Sequence, residues 1–273
     1  MDCVAVQRHI REAASRSIST RIVRLVAVAA CISLTACAIP SMSPEQAAQY
    51  QRVGLMSTMG EDFDLKVMGV TVFGTHENST KLDIGADDIF IRKIKKALSK
   101  RYTVVDLSRY RNPFMGQPKF WPGDRGSLVN EHPLAPDVVR RVMGHEKLDA
   151  YIFVIPDWGP IGNTYESVTG IGVLRMRRVW KESDYLFHAA YSIAVIDGKN
   201  FSLVGREDAD ELDKPKLFDF SFKGGHRVIA PTVRVPAKYH ESPSDFTKEL
   251  GDRLRSLLDR SIPDTLRRAN LLQ

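Results

Sequence analysis

The chain has 273 residues, a formal net charge of +6 and three cysteines, Cys3, Cys31 and Cys37. Residues 1–36 hold five arginines and two acidic residues, so the net charge of the remainder is only +3, which removes the main argument for nucleic-acid binding. That remainder retains one cysteine, which excludes an internal disulfide, but it is long enough to be stabilised by its own core.

The first predicted element is an apolar run over residues 25–36, preceded by five arginines. A membrane-spanning helix needs about 20 apolar residues, so this run of 12 is too short. A basic leader, a short apolar segment and small residues are typical of a secretory signal peptide. We therefore expect residues 1–36 to be removed. The alternative is a first helix of a soluble domain with Cys37 as a buried thiol, but residues 25–32 lack the polar stripe of such a helix.

The four residues Leu34, Thr35, Ala36 and Cys37 resemble the lipobox of bacterial lipoproteins. This resemblance implies cleavage before Cys37 and attachment of diacylglycerol to its thiol, so that membrane lipid becomes a partner of the chain. Two or more acyl chains anchor a protein stably, whereas one is marginal. Ala38 resembles the residue found in lipoproteins that go to the outer membrane, which implies a location in the cell envelope, facing the periplasm.

After the anchor, residues 37–50 read as a tether and a short helix that Ser43 caps. Residues 51–273 are expected to form a single α/β domain. Its first half alternates strands and helices, with predicted strands at 52–57, 64–74, 102–107 and 149–158 and predicted helices at 85–101 and 135–148. This order favours parallel strands joined by helical crossovers.

The second half changes character. Residues 167–180, 187–196 and 201–205 read as an antiparallel meander, with a tight turn at 197–200. A long carboxyl-terminal helix follows, and Pro263 is expected to kink or break it. The predicted fold class is therefore α/β with α+β character in its second half: one mixed sheet with parallel strand–helix–strand units, the meander and the final helix.

Over about residues 51–205 this order is similar to the periplasmic α/β domain of the curli-secretion lipoprotein, of the amino-terminal domain of the Tol-system translocation protein and of small lipoproteins that assist cell-wall synthases. The chain also resembles uncharacterised envelope lipoproteins of proteobacteria. A secretion pore is disfavoured, because Arg175, Arg177 and Arg178 interrupt the one candidate lipid-facing hairpin, where each would cost about 2 to 4 kcal/mol.

No catalytic motif stands out in the sequence. It has no phosphate-binding loop, no nucleophile elbow and no His-Glu-x-x-His pair, so we predict no cofactor, no metal site and no enzyme activity. Gly170 and Gly172 are interpreted as a bulge or bend, and the acidic residues between 207 and 213 as a solvated turn. The alternative is an envelope hydrolase assembled from distant residues such as His132, Asp137 and His188.

An aperiodic stretch over residues 108–135 is the strongest candidate for a functional surface, since loops this long are uncommon in compact domains. It follows one predicted strand, and residues 156–167 follow another. If those strands are parallel neighbours, both loops meet at one carboxyl edge of the sheet. We expect an aromatic surface there for an envelope protein or the cell wall, formed by Tyr110, Phe114, Phe120, Trp121, Trp158 and Tyr165. The alternative is that these side chains cover the domain's own core.

Overall fold

The computed structural model describes residues 42–69, 74–115, 134–160, 167–177, 182–209 and 230–273. Cys37 and the predicted signal peptide lie outside these ranges. The fold class is confirmed as mixed α/β. Its helices are α1 (Pro44–Ala48), α2 (Ala86–Leu98), α3 (Leu134–Met143), α4 (Lys238–Glu241) and α5 (Thr247–Arg268).

The described strands are β1 (Arg52–Ser57), β2 (Asp62–Met68), β3 (His76–Lys81), β4 (Thr103–Asp106), β5 (Ala150–Pro156), β6 (Trp158–Pro160), β7 (Ser167–Thr169), β8 (Ile171–Met176), β9 (Asp184–Ala189), β10 (Tyr191–Asp197), β11 (Leu203–Asp208) and β12 (Thr232–Arg234). They form two five-stranded sheets and a two-stranded one. The first sheet has the order β11-β10-β5-β1-β4, the second has the order β12-β9-β8-β2-β3, and β6 pairs with β7.

The expectation of one sheet is wrong. The meander divides between the two sheets, because β8 and β9 pair in the second sheet while β10 and β11 extend the first. The chain crosses between the sheets over a single residue, Ala190, between β9 and β10. Period-2 alternation predicted these strands but carries no information about which neighbour each one takes.

The first sheet holds the predicted parallel unit. Strands β4 and β5 both run parallel to β1. Because β1 lies between them, β4 and β5 are not direct neighbours. Their carboxyl ends nevertheless lie at the same edge of the sheet. Helix α2 begins at this edge, where the Asp87 carboxylate accepts hydrogen bonds from the backbone N–H groups of Met59 and Gly60. The helix ends at the opposite, amino edge, where Tyr102 and Thr103 lead into β4.

One large core fills the space between the first sheet, helices α2 and α5 and one face of the second sheet. Its buried side chains include Leu55, Phe63, Phe90, Ile152, Phe187 and Leu254. The opposite face of the first sheet has its own core, including Met56, Val139, Tyr151 and Phe153. The outer face of the second sheet buries a third, smaller cluster that includes Met68, Leu174 and Leu186.

Helix α5 continues through Pro263 to Arg268, so the expected break at this residue is wrong. Proline in a helix interior costs about 3 kcal/mol, since it removes one hydrogen bond. Here the apolar face continues on both sides of it, and Leu258, Ile262 and Leu266 are all buried. Packing along this face offsets the cost of the proline.

Candidate functional site

The structure does not bring the six predicted surface aromatics together. Phe120, Trp121 and Tyr165 lie outside the described residues. The other three occupy different surroundings: Phe114 is buried in a core, Tyr110 is partly buried beside α3, and Trp158 is exposed at the carboxyl edge of the first sheet.

Phe114 is a core residue, and its assignment to a partner-binding surface is wrong. After β4 the chain turns back across the face of the first sheet, where the Leu107 N–H donates to the carbonyl of Leu55. The Leu107 side chain covers Gly54, and the ring of Phe114 packs against Phe153 with 5.4 Å between centroids. The described part of this loop therefore covers the apolar face of the sheet, as the alternative interpretation expected.

Tyr110 belongs to a polar cluster beside the end of α3. Its hydroxyl donates a 2.5 Å hydrogen bond to Oε1 of Glu146 and lies 2.9 Å from Nε2 of His145. Arg109 forms an ion pair with the same carboxylate. The hydrogen bond from Tyr110, followed by the one from Arg109, lowers the pKa of Glu146. Tyr110 therefore fixes the loop to the end of α3 through its hydroxyl.

Of the three predicted surface aromatics within the described residues, Trp158 is the exposed one. It follows the last residue of β5 by two positions, and 38% of its surface is exposed, which among the described residues makes it the only exposed large hydrophobic side chain. Pairing of β6 with β7 places it opposite Thr169. It borders a shallow pocket whose other lining residues are Asp157, Gly159, Ala190, Tyr191, Asp208, Ala209 and Ala230.

A network of charged and polar side chains lies beneath Trp158. The Asp157 carboxylate accepts from the backbone N–H of Trp158 and from Nη2 of Arg206, at 2.8 and 3.1 Å. The Nε of Arg206 lies 3.6 Å from Asp208. The hydroxyl of Ser192 lies 2.7 Å from Asp157 and 2.8 Å from Asp208. Three neighbouring strand ends, from β5, β10 and β11, position these groups.

The geometry of Ser192 favours a proton on one of the carboxyl groups. A hydroxyl carries one hydrogen, so it can donate to Asp157 or to Asp208 but not to both at once. If one carboxyl is protonated, it donates to the serine oxygen and all three groups are satisfied. Burial, and then the negative charge of Asp208, raises the pKa of Asp157, in agreement with a retained proton. Because Ser192 is fully buried, it cannot attack a substrate from solvent.

Sequence reasoning missed this network. The acidic residues from 207 onward were expected in a solvated turn, which is wrong for Glu207 and Asp208, since β11 extends through Asp208. The pattern did contain a signal: Arg206 and Asp208 alternate along a strand and therefore share one face. Asp157 directly follows the buried, apolar strand β5, at the edge where α/β sheets commonly bind ligands.

A second buried polar pair lies on the outer face of the second sheet. Asp64, Gly172 and His188 are direct neighbours on β2, β8 and β9. Because glycine has no side chain, Asp64 and His188 approach across it, with 3.7 Å between Oδ2 and Nε2. A Cβ atom at Gly172 would overlap the carbonyl of Asp64 and lie 2.7 Å from its Cβ. Gly172 is thus required by close packing within a regular strand, and its interpretation as a bulge or bend is wrong.

The hydrogen bonding of His188 indicates where its proton lies. Its Nδ1 is 3.3 Å from the carbonyl of Gly170, so in the neutral ring Nδ1 carries the hydrogen and Nε2 presents a lone pair to Asp64. Burial lowers the pKa of His188 to about 3. Burial, and then the charge of Glu77, raises the pKa of Asp64 to about 6. A protonated Asp64 facing a neutral His188 is the arrangement that these directions favour.

The hydrolase hypothesis relied on His132, Asp137 and His188. His132 and the side chain of Asp137 lie outside the described residues, and His188 is completely buried. Within the described ranges, no three histidine, cysteine or acidic side chains converge as metal ligands. In the same part of the chain, no helix has the length and apolar character needed to cross a bilayer.

No protein-family model matches the chain, and no curated protein matches it. Among solved structures, the chain is similar to the crystal structure of lipoprotein GNA1162 from Neisseria meningitidis. The TM-score is 0.28 and the sequence identity is 10%, and the alignment covers 78% of this chain and 99% of that chain. This likeness is too low to establish a shared fold or a shared function.

Proposed function

We propose that this chain is a lipoprotein of the cell envelope, anchored through an acylated Cys37, and that it acts as a non-catalytic binding or assembly module. The observation that carries the proposal is the run Leu34-Thr35-Ala36-Cys37 directly after a short apolar segment and a basic leader. By the resemblance to lipoproteins with Ala after the cysteine, the protein is held at the outer membrane and faces the periplasm.

The start of the fold agrees with a short tether. Met42, five residues after Cys37, is already buried, and Asn270 donates a 2.6 Å hydrogen bond to its carbonyl oxygen. Helix α1 follows at once, with the backbone N–H of Gln46 bonded to the Ser43 hydroxyl as in a helix cap. An anchor at Cys37 would therefore hold the folded domain close to the membrane surface.

The proposed binding surface is the carboxyl edge of the first sheet around Trp158. An exposed tryptophan beside a pocket, supported by a buried and fixed polar network, is the kind of anchor that protein interfaces use. The network has no nucleophile open to solvent, which favours recognition over catalysis. The partner is an envelope protein or the cell wall.

Labelling with palmitate tests the anchor. Cells that express the full chain are fed radiolabelled palmitate, and the label is compared between the wild-type chain and the Cys37→Ser variant. We expect the wild type to be labelled and the variant to carry none. A wild type without label, or equal label on the variant, would contradict the anchor.

Site-specific crosslinking tests the binding surface separately. A photoreactive residue replaces Thr169, the exposed residue paired with Trp158, and a second chain carries it at Ser256, which is exposed on α5. We expect the probe at 169 to crosslink one envelope component, identified by mass spectrometry, and the probe at 256 not to. Adding Trp158→Ala should abolish this product. If the product survives that substitution, Trp158 is not part of the interface.

A further inference from the structure

Helix α2 carries a stripe of basic side chains on its solvent face. Arg92, Lys95 and Lys96 lie on one side of the helix, and Lys100, in the turn after Leu98, continues the same spacing of three and four residues. All four are exposed, whereas Ile91, Ile94 and Leu98 on the opposite side are buried in the core. The stripe is therefore a continuous positive surface.

The four side chains of this stripe are not held in ion pairs within the described chain. Within the described ranges, none of the four side chains forms an ion pair, whereas Lys93, one position away, is paired with Asp259. Favourable interaction with the helix dipole accounts for basic residues in the last turn. It does not account for Arg92, which lies in the middle of the helix, or for the continuity of the stripe.

The stripe ends beside the point where the chain enters the fold. Arg101, which follows Lys100, donates a 3.5 Å hydrogen bond to the carbonyl oxygen of Asn270. The side chain of Asn270 in turn holds Met42, the first described residue. The hydroxyl of Tyr102 lies 3.4 Å from the carbonyl oxygen of Ala47 in α1. The carboxyl-terminal end of α2 thus lies beside Met42 and α1.

The length of the tether brings this surface to the membrane. Cys37 and Met42 are five residues apart, so an extended chain spans at most about 17 Å between them. If Cys37 is acylated, as the proposed function states, Met42 is held within this distance of the lipid headgroups, with the end of α2 packed nearby through Asn270. Positive side chains close to an anionic bilayer each add about fivefold to binding.

We propose that the basic stripe of α2, formed by Arg92, Lys95, Lys96 and Lys100, lies against the anionic phosphate headgroups of the membrane that holds the anchor. The stripe then fixes the orientation of the domain on the bilayer. In this orientation α2 lies along the membrane surface, and Trp158, at the edge of the first sheet opposite to the end of α2, is left open to a partner.

The experiment is vesicle binding by full-length chains that carry Cys37→Ser, so that no acylation contributes. Vesicles of phosphatidylcholine alone are compared with vesicles in which a third of the lipid is phosphatidylglycerol. The test variant adds Lys95→Gln, Lys96→Gln and Lys100→Gln. The matched control adds Arg141→Gln, Lys248→Gln and Arg253→Gln, which remove the same charge from exposed sites on other helices. All chains retain the same leader, so differences among them arise from the substituted residues.

For each chain we measure the vesicle concentration at which half of the protein sediments with the vesicles. On anionic vesicles we expect the test variant to need about a hundredfold more lipid, the control to match the parent, and the difference to shrink at high salt because the charges are screened. On phosphatidylcholine we expect the three chains to bind equally. Equal binding of test and control variants to anionic vesicles would overturn the proposal, whatever the palmitate experiment shows.

Discussion

The segments that follow β4 and β5 were predicted to form one aromatic surface, yet the structure gives them opposite roles. After β4 the chain folds back, and Phe114 fills a gap in the core against Phe153. After β5 it continues outward, and Trp158 stays exposed above a buried polar network. Both segments contain aromatic residues. The difference comes from what lies beneath each one.

The face of the first sheet under the β4 segment is apolar, with Met56, Tyr151 and Ile155 all buried there. Such a face must be covered, since exposing it to water costs about 25 cal/mol for each Å². The end of β5 instead meets Asp157, Ser192 and Asp208, which are already satisfied by one another and by Arg206. Polar groups that already bond to one another leave no apolar surface for an aromatic ring to cover, so Trp158 remains exposed.

Phe114→Ala is the substitution expected to have the largest effect. It removes a ring that is 2% exposed, and losses of this kind cost about 4 kcal/mol because a cavity remains. Urea unfolding followed by circular dichroism measures the change in the free energy of unfolding. A cost below about 1 kcal/mol would mean that the loop after β4 does not cover the core.

Arg206→Ala tests whether the buried polar residues under Trp158 form a charge network that stabilises the fold. The Arg206 side chain is 7% exposed and compensates Asp157 and Asp208. Removing one partner of a buried ion pair leaves uncompensated charge and costs about 3 kcal/mol. Arg234→Ala is the control, since Arg234 pairs with Asp184 across 3.7 Å and is 71% exposed. If thermal unfolding shows equal losses for both variants, the network does not support the site.

Asp64→Asn tests the buried pair of Asp64 and His188. His188 contacts the carbonyl of Gly170, and the N–H of Gly170 donates to the carbonyl of Asp157. The pKa of Asp64 is raised to about 6 in the folded protein, from an ordinary value near 4. Its stabilising contribution is present below about pH 4 and is lost as the pH rises through about 6. Asparagine stays neutral, so from pH 4 to pH 8 we expect the variant to gain about 2 kcal/mol relative to wild type.

This gain is measured as the difference between the free energies of unfolding of the two proteins, obtained with urea at each pH. Taking the difference removes the contribution of His188, which changes with pH in the opposite direction. The control is Asp62→Asn, in the same strand, whose carboxylate is exposed and paired with Lys81. Its stability relative to wild type should not rise with pH. A flat difference for Asp64→Asn as well would mean that folding does not raise the pKa of Asp64.

Trp158→Ala should have the smallest effect on stability, within about 1 kcal/mol, because the side chain is partly exposed and only its contacts with the pocket are lost. The change is measured by thermal unfolding alongside Phe114→Ala. A loss as large as that of Phe114→Ala would place both aromatics in the core and would end the contrast between the two segments.

Much of the fold could be predicted from the sequence. Helix α2 and strands β1, β4 and β5 were predicted close to their observed positions, because their apolar periodicity is strong and their connections are short. Strand β3 was missed, since it contains only polar residues and lies exposed at a sheet edge. The division into two sheets was missed because it depends on long-range pairing, such as that of β2 with β8.

Less of the candidate site was predictable. Trp158 was identified from its place after an apolar strand, but Asp157, Ser192 and Asp208 come from three strands and have no common motif. The Asp64–His188 pair depends on Gly172 between them, and only the strand register reveals it. The position of the basic residues of α2 near Met42, where the described chain begins, emerges only from the packing of Asn270 and Met42.

The anchor is tested most directly by mass spectrometry of the amino terminus of the mature protein, isolated from membranes. We predict that the first residue is Cys37 and that it carries diacylglycerol on its sulfur. An unmodified peptide that extends upstream of Cys37 would contradict the anchor, and with it the orientation proposed for the domain on the membrane.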